Sequence, residues 1–324
     1  IDALKRVEGA YSLICLTTEG LIACRDPLGI RPLVMGKLGD SIIFASETVA
    51  FDIVGAEYIR SIEPGELVVV RDGVVTSHKP FIQVPARPCI FEHVYFSRPD
   101  SIVEGISVYS VRKAIGAELA RENGVDVDYV IPVPDSGTPA AIGYAEAAGI
   151  PFELGIIRSH YVGRTFIQPG DGVRHLGVKL KHNANKNLVA GKKIVLIDDS
   201  IVRGTTSLKI VQMMREAGAS EVHMRIASPP TMNSCFYGVD TPERSKLLAS
   251  SRDIEEMRAF IQADSLAFIS IDGLYRALGE DARNNGKPQY CDACFTGDYP
   301  TSLTDHEEQE AGDQLIMLND RKLA

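Results

Sequence analysis

The run Lys193-Ile194-Val195-Leu196-Ile197-Asp198-Asp199-Ser200-Ile201-Val202-Arg203-Gly204-Thr205-Thr206-Ser207 decides how the rest of this 324-residue chain is read. Ile194 to Ile197 are apolar without alternation, the pattern of a strand buried on both faces. The strand delivers two adjacent carboxylates, Asp198 and Asp199. A short loop with Gly204 follows, and a helical pattern then opens on hydroxyl residues. Each part suits a sugar phosphate. A helix start offers unpaired N–H groups and the positive end of its dipole. Gly204 lets the backbone approach closely. Thr205, Thr206 and Ser207 add hydroxyl donors. Asp198 and Asp199 can accept from sugar hydroxyls or hold a divalent cation through water. A plain helix cap would account for Ser200 or Thr205 alone. It leaves two carboxylates at the end of a buried strand, where unpartnered charge is costly.

Outward from this run, helix and strand patterns alternate from about residue 107. The periodicity predicts helices over Tyr109–Asn123, Gly137–Ala148 and Thr205–Ala217, the first and last stopped by Gly124 and Gly218. Strands are predicted at Asp128–Val133, Phe152–Ile156, Lys193–Ile197, Glu221–Ala227 and Leu266–Ser270. This alternation is that of an α/β parallel sheet with helices on both faces, which binds ligands at the carboxyl ends of its strands. Val133-Pro134-Asp135-Ser136-Gly137-Thr138 is a second strand-to-helix turn of the same kind, an anion loop or a simple turn and cap. Between Arg158 and Lys186 the chain carries Arg158, Arg164, Arg174, Lys179, Lys181 and Lys186 with several glycines, either a mobile lid over a charged substrate or a solvated basic surface. Residues 1–80 read instead as short β runs: Ala10–Leu16, Gly20–Cys24, Ile42–Ala45, Glu66–Val70 and Val74–Thr76, with Asp72-Gly73 a hairpin signal. A stretch with Pro80, Pro85 and Pro88 joins the two regions.

The bulk numbers narrow the function classes. With 34 basic against 43 acidic residues the net charge is −9, which argues against nucleic-acid binding by global charge. No apolar run has the length of a membrane span, and the N-terminus lacks a signal-peptide layout, so a cytoplasmic protein with no membrane partner is expected. In that setting the six cysteines point to metal or catalysis rather than disulfides. Cys291-Asp292-Ala293-Cys294 alone is compatible with zinc, a redox pair or chance. With Cys89 and Cys235 it makes four thiolates, enough for zinc or a [4Fe-4S] cluster. Cys15 and Cys24, in apolar β runs, are expected to be buried and inert. The acidic tail after about Thr304 reads as poorly ordered.

Several motifs together resemble one family. Ile197 to Thr206 looks like the signature for 5-phosphoribosyl-1-pyrophosphate (PRPP) of type I phosphoribosyltransferases, and its Ser-Ile-Val-Arg-Gly-Thr-Thr form resembles the amidophosphoribosyltransferases. Arg25-Asp26-Pro27-Leu28-Gly29-Ile30-Arg31-Pro32-Leu33, Tyr161-Val162-Gly163-Arg164-Thr165-Phe166-Ile167 and Cys235-Phe236-Tyr237-Gly238-Val239-Asp240 resemble the same family in the same order.

The resemblance implies a type I phosphoribosyltransferase α/β fold preceded by part of an N-terminal-nucleophile hydrolase domain. The expected division is 1–83 for the glutaminase part, 84–106 for a connection, 107–290 for the phosphoribosyltransferase domain and 291–324 for a cluster-binding tail. It implies PRPP contacts from Asp135, Ser136, Gly137, Arg164, Asp198, Asp199, Ser200, Arg203, Gly204, Thr205, Thr206 and Ser207, and Mg2+ at Ser136, Asp198 and Asp199. It implies a [4Fe-4S] cluster on Cys89, Cys235, Cys291 and Cys294, as in one branch of the family. The implied reaction makes 5-phosphoribosylamine, glutamate and pyrophosphate from PRPP, glutamine or ammonia, and water, opening purine synthesis. Purine nucleotide feedback inhibitors and a homo-oligomer, dimer or tetramer, are implied as well. The chain begins without Met, so residues are expected to be missing upstream of Ile1, among them the family's N-terminal Cys nucleophile; no glutaminase catalytic residue is expected from Ile1 onward. A base phosphoribosyltransferase and a non-enzymatic PRPP-sensing regulator are the alternatives. The β-rich N-terminal part and the four cysteines weigh against the first, the lack of a helix-turn-helix against the second.

Overall fold

The computed structural model describes residues 1–159 and 182–303. Two small antiparallel sheets come first. Strands β1 (Ser12–Thr17) and β2 (Gly20–Arg25) form a hairpin. Strands β3 (Val34–Leu38), β4 (Ser41–Ala45) and β5 (Glu57–Ser61) form a separate sheet in the order β4-β3-β5. Strands β6 (Leu67–Arg71) and β7 (Val74–His78) complete the first sheet in the order β1-β2-β6-β7. Asp72 and Gly73 both take positive φ, 50° and 76°, as the predicted hairpin turn requires. Ala23, Leu33, Met35, Ile62 and Val68 make the small core of this region.

The sequence reading misses β3, β5 and the helix Val49–Val54 here, because short strands around a bulge at Met35/Gly36 carry no clean alternation. It also errs on Cys15. Among the described residues strand β1 pairs with β2 alone and is open along most of its length, so Cys15 is exposed, whereas Cys24 in β2 is buried.

The connection carries a π-helical turn, Glu92–Phe96, and a minimal hairpin of β8 (Ile102–Val103) and β9 (Ile106–Ser107). Helix Val108–Glu122 then opens the second region, with Ser107 Oγ accepting from the Ser110 amide as its cap. Strands β10 (Tyr129–Pro132), β13 (Lys193–Asp198), β14 (Glu221–Ile226) and β15 (Ser265–Phe268) form one parallel sheet in that order. Between β10 and β13 in the chain, β11 (Ile156–Arg158) and β12 (His182–Ala184) pair antiparallel outside it.

Alternate residues of the central strands feed two separate cores, as strand geometry demands. Val130, Val195 and Ile197 pack with helices Val108–Glu122, Thr138–Ala148 and Ile271–Ala277. Ile131, Ile194, Leu196, Val222 and Met224 pack with helices Thr205–Glu216 and Ile254–Ile261. The predicted parallel sheet with helices on both faces is therefore present. Burying each such aliphatic side chain contributes about 1.5–3 kcal/mol.

The strand predicted at Phe152–Ile156 is not formed as drawn. Phe152 makes a single bridge to Val130. The turn at Glu153–Gly155, with Gly155 N–H donating to Glu153 O at 3.0 Å, then leads the chain away. Pro151 ahead of it has no N–H for a ladder. Arg164, residues 160–181 of the proposed lid and the acidic tail lie outside the described residues, whereas Arg158 and Lys186 at the ends of that stretch are described. Among the described residues no helix is long and apolar enough to cross a membrane.

Candidate active site

Strand β13 ends on Asp198 at the carboxyl edge of the sheet, where the carbonyl of Asp198 accepts from Ala227 N–H at 2.8 Å. Both carboxylates sit at the wall of a cavity of about 600 Å³, yet Asp198 is only 7% and Asp199 8% exposed. Burial pushes the Asp198 carboxyl well above its ordinary range, and the charge of Asp199 pushes it further. Burial raises Asp199 too, opposed by hydrogen bonds from Ser136 and Ser200 and by the charge of Arg112. Ser200 Oγ donates to Asp199 Oδ1 at 2.5 Å, and the Asp199 amide donates to Asp198 Oδ1 at 3.0 Å. Among the described residues neither aspartate belongs to a salt bridge. Two buried carboxylates outside any ion pair with the described residues are the arrangement a divalent metal or a polyhydroxyl ligand would complete.

The loop beyond them is fixed from below. Ile201 is buried in the second core, and Val202 O accepts from Leu248 N–H at 2.8 Å. Gly204 has φ 74°, and a Cβ there would stand 2.7 Å from Leu248 Cδ2 and 3.0 Å from Phe260 Cε1. Glycine is thus required twice over, by conformation and by space. Helix Thr205–Glu216 starts directly after it with no side-chain cap. No side chain caps the helix start, and Arg203, Gly204, Thr205, Thr206 and Ser207 line the cavity there.

The second loop is brought to the same place, but only in part. Ser136 lines the cavity, and its hydroxyl acts to lower the Asp199 carboxyl. Gly137 packs against the sheet: its Cβ would meet Ile197 O at 2.3 Å. Asp135 is exposed, does not line the cavity and is ion-paired with Arg158.

The cysteines converge as well. Cys89 bridges Cys291, with Ile90 N–H donating to Cys291 O at 3.1 Å and Cys291 N–H to Pro88 O at 2.9 Å. Cys294 O accepts from Met232 and Asn233, both at 3.0 Å. Tyr237 N–H donates to Cys235 Sγ at 3.3 Å. All four thiols line the cavity that also holds Asp198 and Asp199, and none is in a disulfide. Burial pushes the thiols of Cys89, Cys291 and Cys294 up, Cys291 to about 11, and neighbouring thiols add to each rise. Among the described residues no three His, Cys, Asp or Glu side chains form a ready set of ligands for a single ion.

Sequence reasoning missed what joins the two ends. Phe91, Tyr95, Thr231 and Tyr299 line the same cavity. Arg112, 4% exposed, donates from Nε to His93 O at 3.0 Å and from Nη2 to Ser97 O at 2.6 Å, and its charge bears on Asp199. The aromatic run after Cys89 was the available signal for Phe91 and Tyr95; a lone helical arginine gave none for Arg112.

Ile1, the residue ahead of which the glutaminase nucleophile is expected, is no part of this site. It is exposed, does not line the cavity, and its carbonyl accepts from Lys5 N–H at 3.0 Å in the first turn of the chain.

Fold and site together define a phosphoribosyl transferase domain attached to amidotransferase sequence. The model of the phosphoribosyl transferase domain matches residues 108–227, and that of a glutamine amidotransferase domain matches residues 1–52, so amidotransferase sequence is present from Ile1 onward. The chain is 57% identical to amidophosphoribosyltransferase of Rhizobium etli, over 98% of this chain and 65% of the relative. It is 51% identical to the chloroplastic amidophosphoribosyltransferase 1 of Arabidopsis thaliana, over 98% of this chain and 55% of the relative. The solved glutamine PRPP amidotransferase of B. subtilis, complexed with ADP and GMP, superposes with a TM-score of 0.86 at 49% identity, over 93% of this chain and 66% of that one. The chain belongs to the amidophosphoribosyltransferase family and spans 55–66% of the length of these relatives.

Proposed function

We propose that the chain carries the PRPP half-reaction of an amidophosphoribosyltransferase. Ammonia, supplied free or from glutamine by the amidotransferase part, attacks the anomeric carbon of PRPP as pyrophosphate leaves. The products are 5-phosphoribosylamine and pyrophosphate, with glutamate formed where glutamine is the donor. The nucleophile for glutamine hydrolysis is assigned to no residue from Ile1 onward. The observation that carries this reading is the buried aspartate pair opening onto an uncapped helix N-terminus in one cavity.

Each residue then has a task. The amides and hydroxyls from Arg203 to Ser207 hold the 5-phosphate. Asp198 and Asp199 accept from the ribose hydroxyls, and with Ser136 they are the residues that would hold Mg2+. A bound Mg2+ supplies charge for the departing pyrophosphate. The protein acts by positioning and by fixed charge around an oxocarbenium-like state. Gly137 shapes the pyrophosphate side of the site, and Asp135, paired with Arg158 off the cavity wall in this structure, would join it on release from that pair. The reading divides the chain near residues 83, 106 and 290, as the sequence suggested.

The four cysteines suit a [4Fe-4S] cluster better than zinc. Bonds of about 2.3 Å to one zinc ion need sulfurs roughly 4 Å apart in a tight tetrahedron. No such group of three occurs among the described residues. A cubane takes one thiolate at each iron and so accepts four thiols spread around a cavity wall. When bound, it would tie the connection at Cys89 to the later loops as a structural crosslink. Purine nucleotides as feedback ligands, a homo-oligomeric state and a cytoplasmic location complete the proposal, the first supported by the ADP and GMP bound to the B. subtilis relative.

The test is pyrophosphate release by the purified chain with PRPP, Mg2+ and ammonium chloride. Release that requires all three is expected. No release above the protein-free rate, from chain that binds PRPP, overturns the assignment of the reaction.

A further inference from the structure

The turn Arg25–Leu33 has no part in the chemistry above, yet its backbone runs into the cysteine chamber. Arg87 N–H donates to Leu28 O at 2.8 Å, and Cys89 N–H to Ile30 O at 3.0 Å. Asp26, fully buried, holds the turn from within by accepting from the amides of Leu28 at 3.0 Å and Ile30 at 3.1 Å.

Arg31 reaches out of this turn into the other half of the molecule. Its Nε donates to Tyr237 O at 2.6 Å, its Nη1 to Glu92 Oε1 at 2.6 Å, and its guanidinium stacks 4.7 Å from the Phe96 ring centre. The Tyr237 amide in turn donates to Cys235 Sγ. Arg31 Nη2 is sealed from solvent without a hydrogen-bond partner among the described residues. Arg31 is therefore bonded to the loop of Cys235 and follows directly the residue that binds the Cys89 amide. Its charge bears on both thiols.

Four thiolates around an iron–sulfur core make a buried anion, which needs a nearby cation or donors. Arg87 also bears on this site, at Cys291, but it already faces Asp292 at 4.0 Å and Asp298 at 3.5 Å. Among the described residues Arg31 faces the single carboxylate Glu92, which Ser97 Oγ also engages at 2.5 Å.

We infer that Arg31 is the counter-charge and spare hydrogen-bond donor of the four-cysteine site, a positioning residue through which the amidotransferase turn and the loaded cluster stabilise each other. This rests on the reading of the four cysteines as cluster ligands. Charge and hydrogen bonds beside the sulfurs set a cluster's reduction potential, so the readout is the potential, which a merely structural arginine would not move.

The experiment reconstitutes the full chain anaerobically with iron and sulfide, then measures iron per chain, visible absorption, midpoint potential and decay of the absorption in air. Arg31→Met should shift the potential to more negative values and speed the decay, with Arg31→Lys between it and the parent chain. Glu92→Gln, which removes the opposing charge, should shift the potential the other way. A parent chain that takes up no iron and shows no cluster absorption overturns the cluster reading itself. A loaded parent with loaded Arg31→Met at the same potential and decay rate overturns the inference alone. Should Arg31→Met fail to load, Arg31→Lys and Glu92→Gln decide the matter: shifts of opposite sign support the inference, and equal or absent shifts overturn it.

Discussion

The two ends of the cavity are built in opposite ways. At one end, Asp198 to Ser207 come from ten consecutive residues on one strand, one loop and one helix start. At the other, Cys89, Cys235, Cys291 and Cys294 come from three distant segments joined by backbone bonds between them. The first end takes its geometry from secondary structure and needs the rest of the chain only as support. The second exists only once the whole chain has folded, and its geometry is that of tertiary contacts. Local sites should therefore lose activity on substitution and keep stability. Composite sites should lose stability first.

The largest effect is expected at the aspartates. Asp199→Asn should lower PRPP-dependent pyrophosphate release about a thousandfold, roughly 4 kcal/mol of transition-state stabilisation. The metal-free chain should keep or gain thermal stability, most clearly in Asp198→Asn, because the variant removes a buried charge pressed against another. Steady-state kinetics alongside melting curves checks both halves. A variant that melts lower and stays active would break the comparison at its strongest point.

At the cysteine end the balance reverses. In the iron-loaded chain Cys294→Ser should cost on the order of 3 kcal/mol, through loss of a tie that binds only the folded state. In the metal-free chain the same change should stay within about 1 kcal/mol, as for a modest buried substitution. Denaturant melts with and without iron measure the difference. Equal losses in both would mean that the thiols pack and do no more.

The same contrast explains what the sequence disclosed. The strand, the acidic pair and Gly204 were legible because periodicity, a carboxylate at a buried strand end and a glycine before hydroxyls are local signals. The parallel sheet followed for the same reason, since Val195 and Ile197 against Ile194 and Leu196 already encode two cores. That the cysteines and aspartates share one cavity was not legible. Nothing in residues 89, 235 or 291 records that a bridge at Cys89 and Cys291 will place them near the carboxyl edge of β13. Arg112 and Arg31 were hidden likewise: their partners are mostly backbone carbonyls of other segments, and a carbonyl has no sequence signature. Asp135 shows the converse, a residue with a local signal that the structure pairs with Arg158 away from the cavity wall.

Between the two ends stands the π-helical turn Glu92–Phe96, and its histidine tests how tightly they are joined. His93 is 1% exposed, and burial first, then the charge of Arg112, hold its imidazole down at about 4. The unfolded chain takes up a proton near pH 6.5, which the folded chain refuses until about pH 4. The contribution of neutral His93 is thus fully present above pH 6.5 and is lost as the pH falls toward 4. Between pH 7 and pH 5 this one group should remove about 2 kcal/mol of stability. His93→Gln should flatten that part of the profile, seen in urea unfolding of the metal-free chain at both pH values. An unchanged slope would mean that the turn opens to solvent and the two ends are less firmly coupled than the structure indicates.

The smallest effect sharpens the comparison most. Thr206 lies exposed at the open end of the helix and lines the cavity there. If the phosphate is held chiefly by backbone amides and the helix dipole, Thr206→Ala removes one donor of several and leaves the rest in place. The expected loss is about 1 kcal/mol, a severalfold rise in KM for PRPP with kcat nearly unchanged. A site made from backbone should tolerate such a change, because the peptide groups that do the binding are the same for any residue that keeps the helix. A hundredfold loss would mean that side chains carry the phosphate after all, and that the end of the cavity which looks local depends on the same tertiary precision as the cysteines.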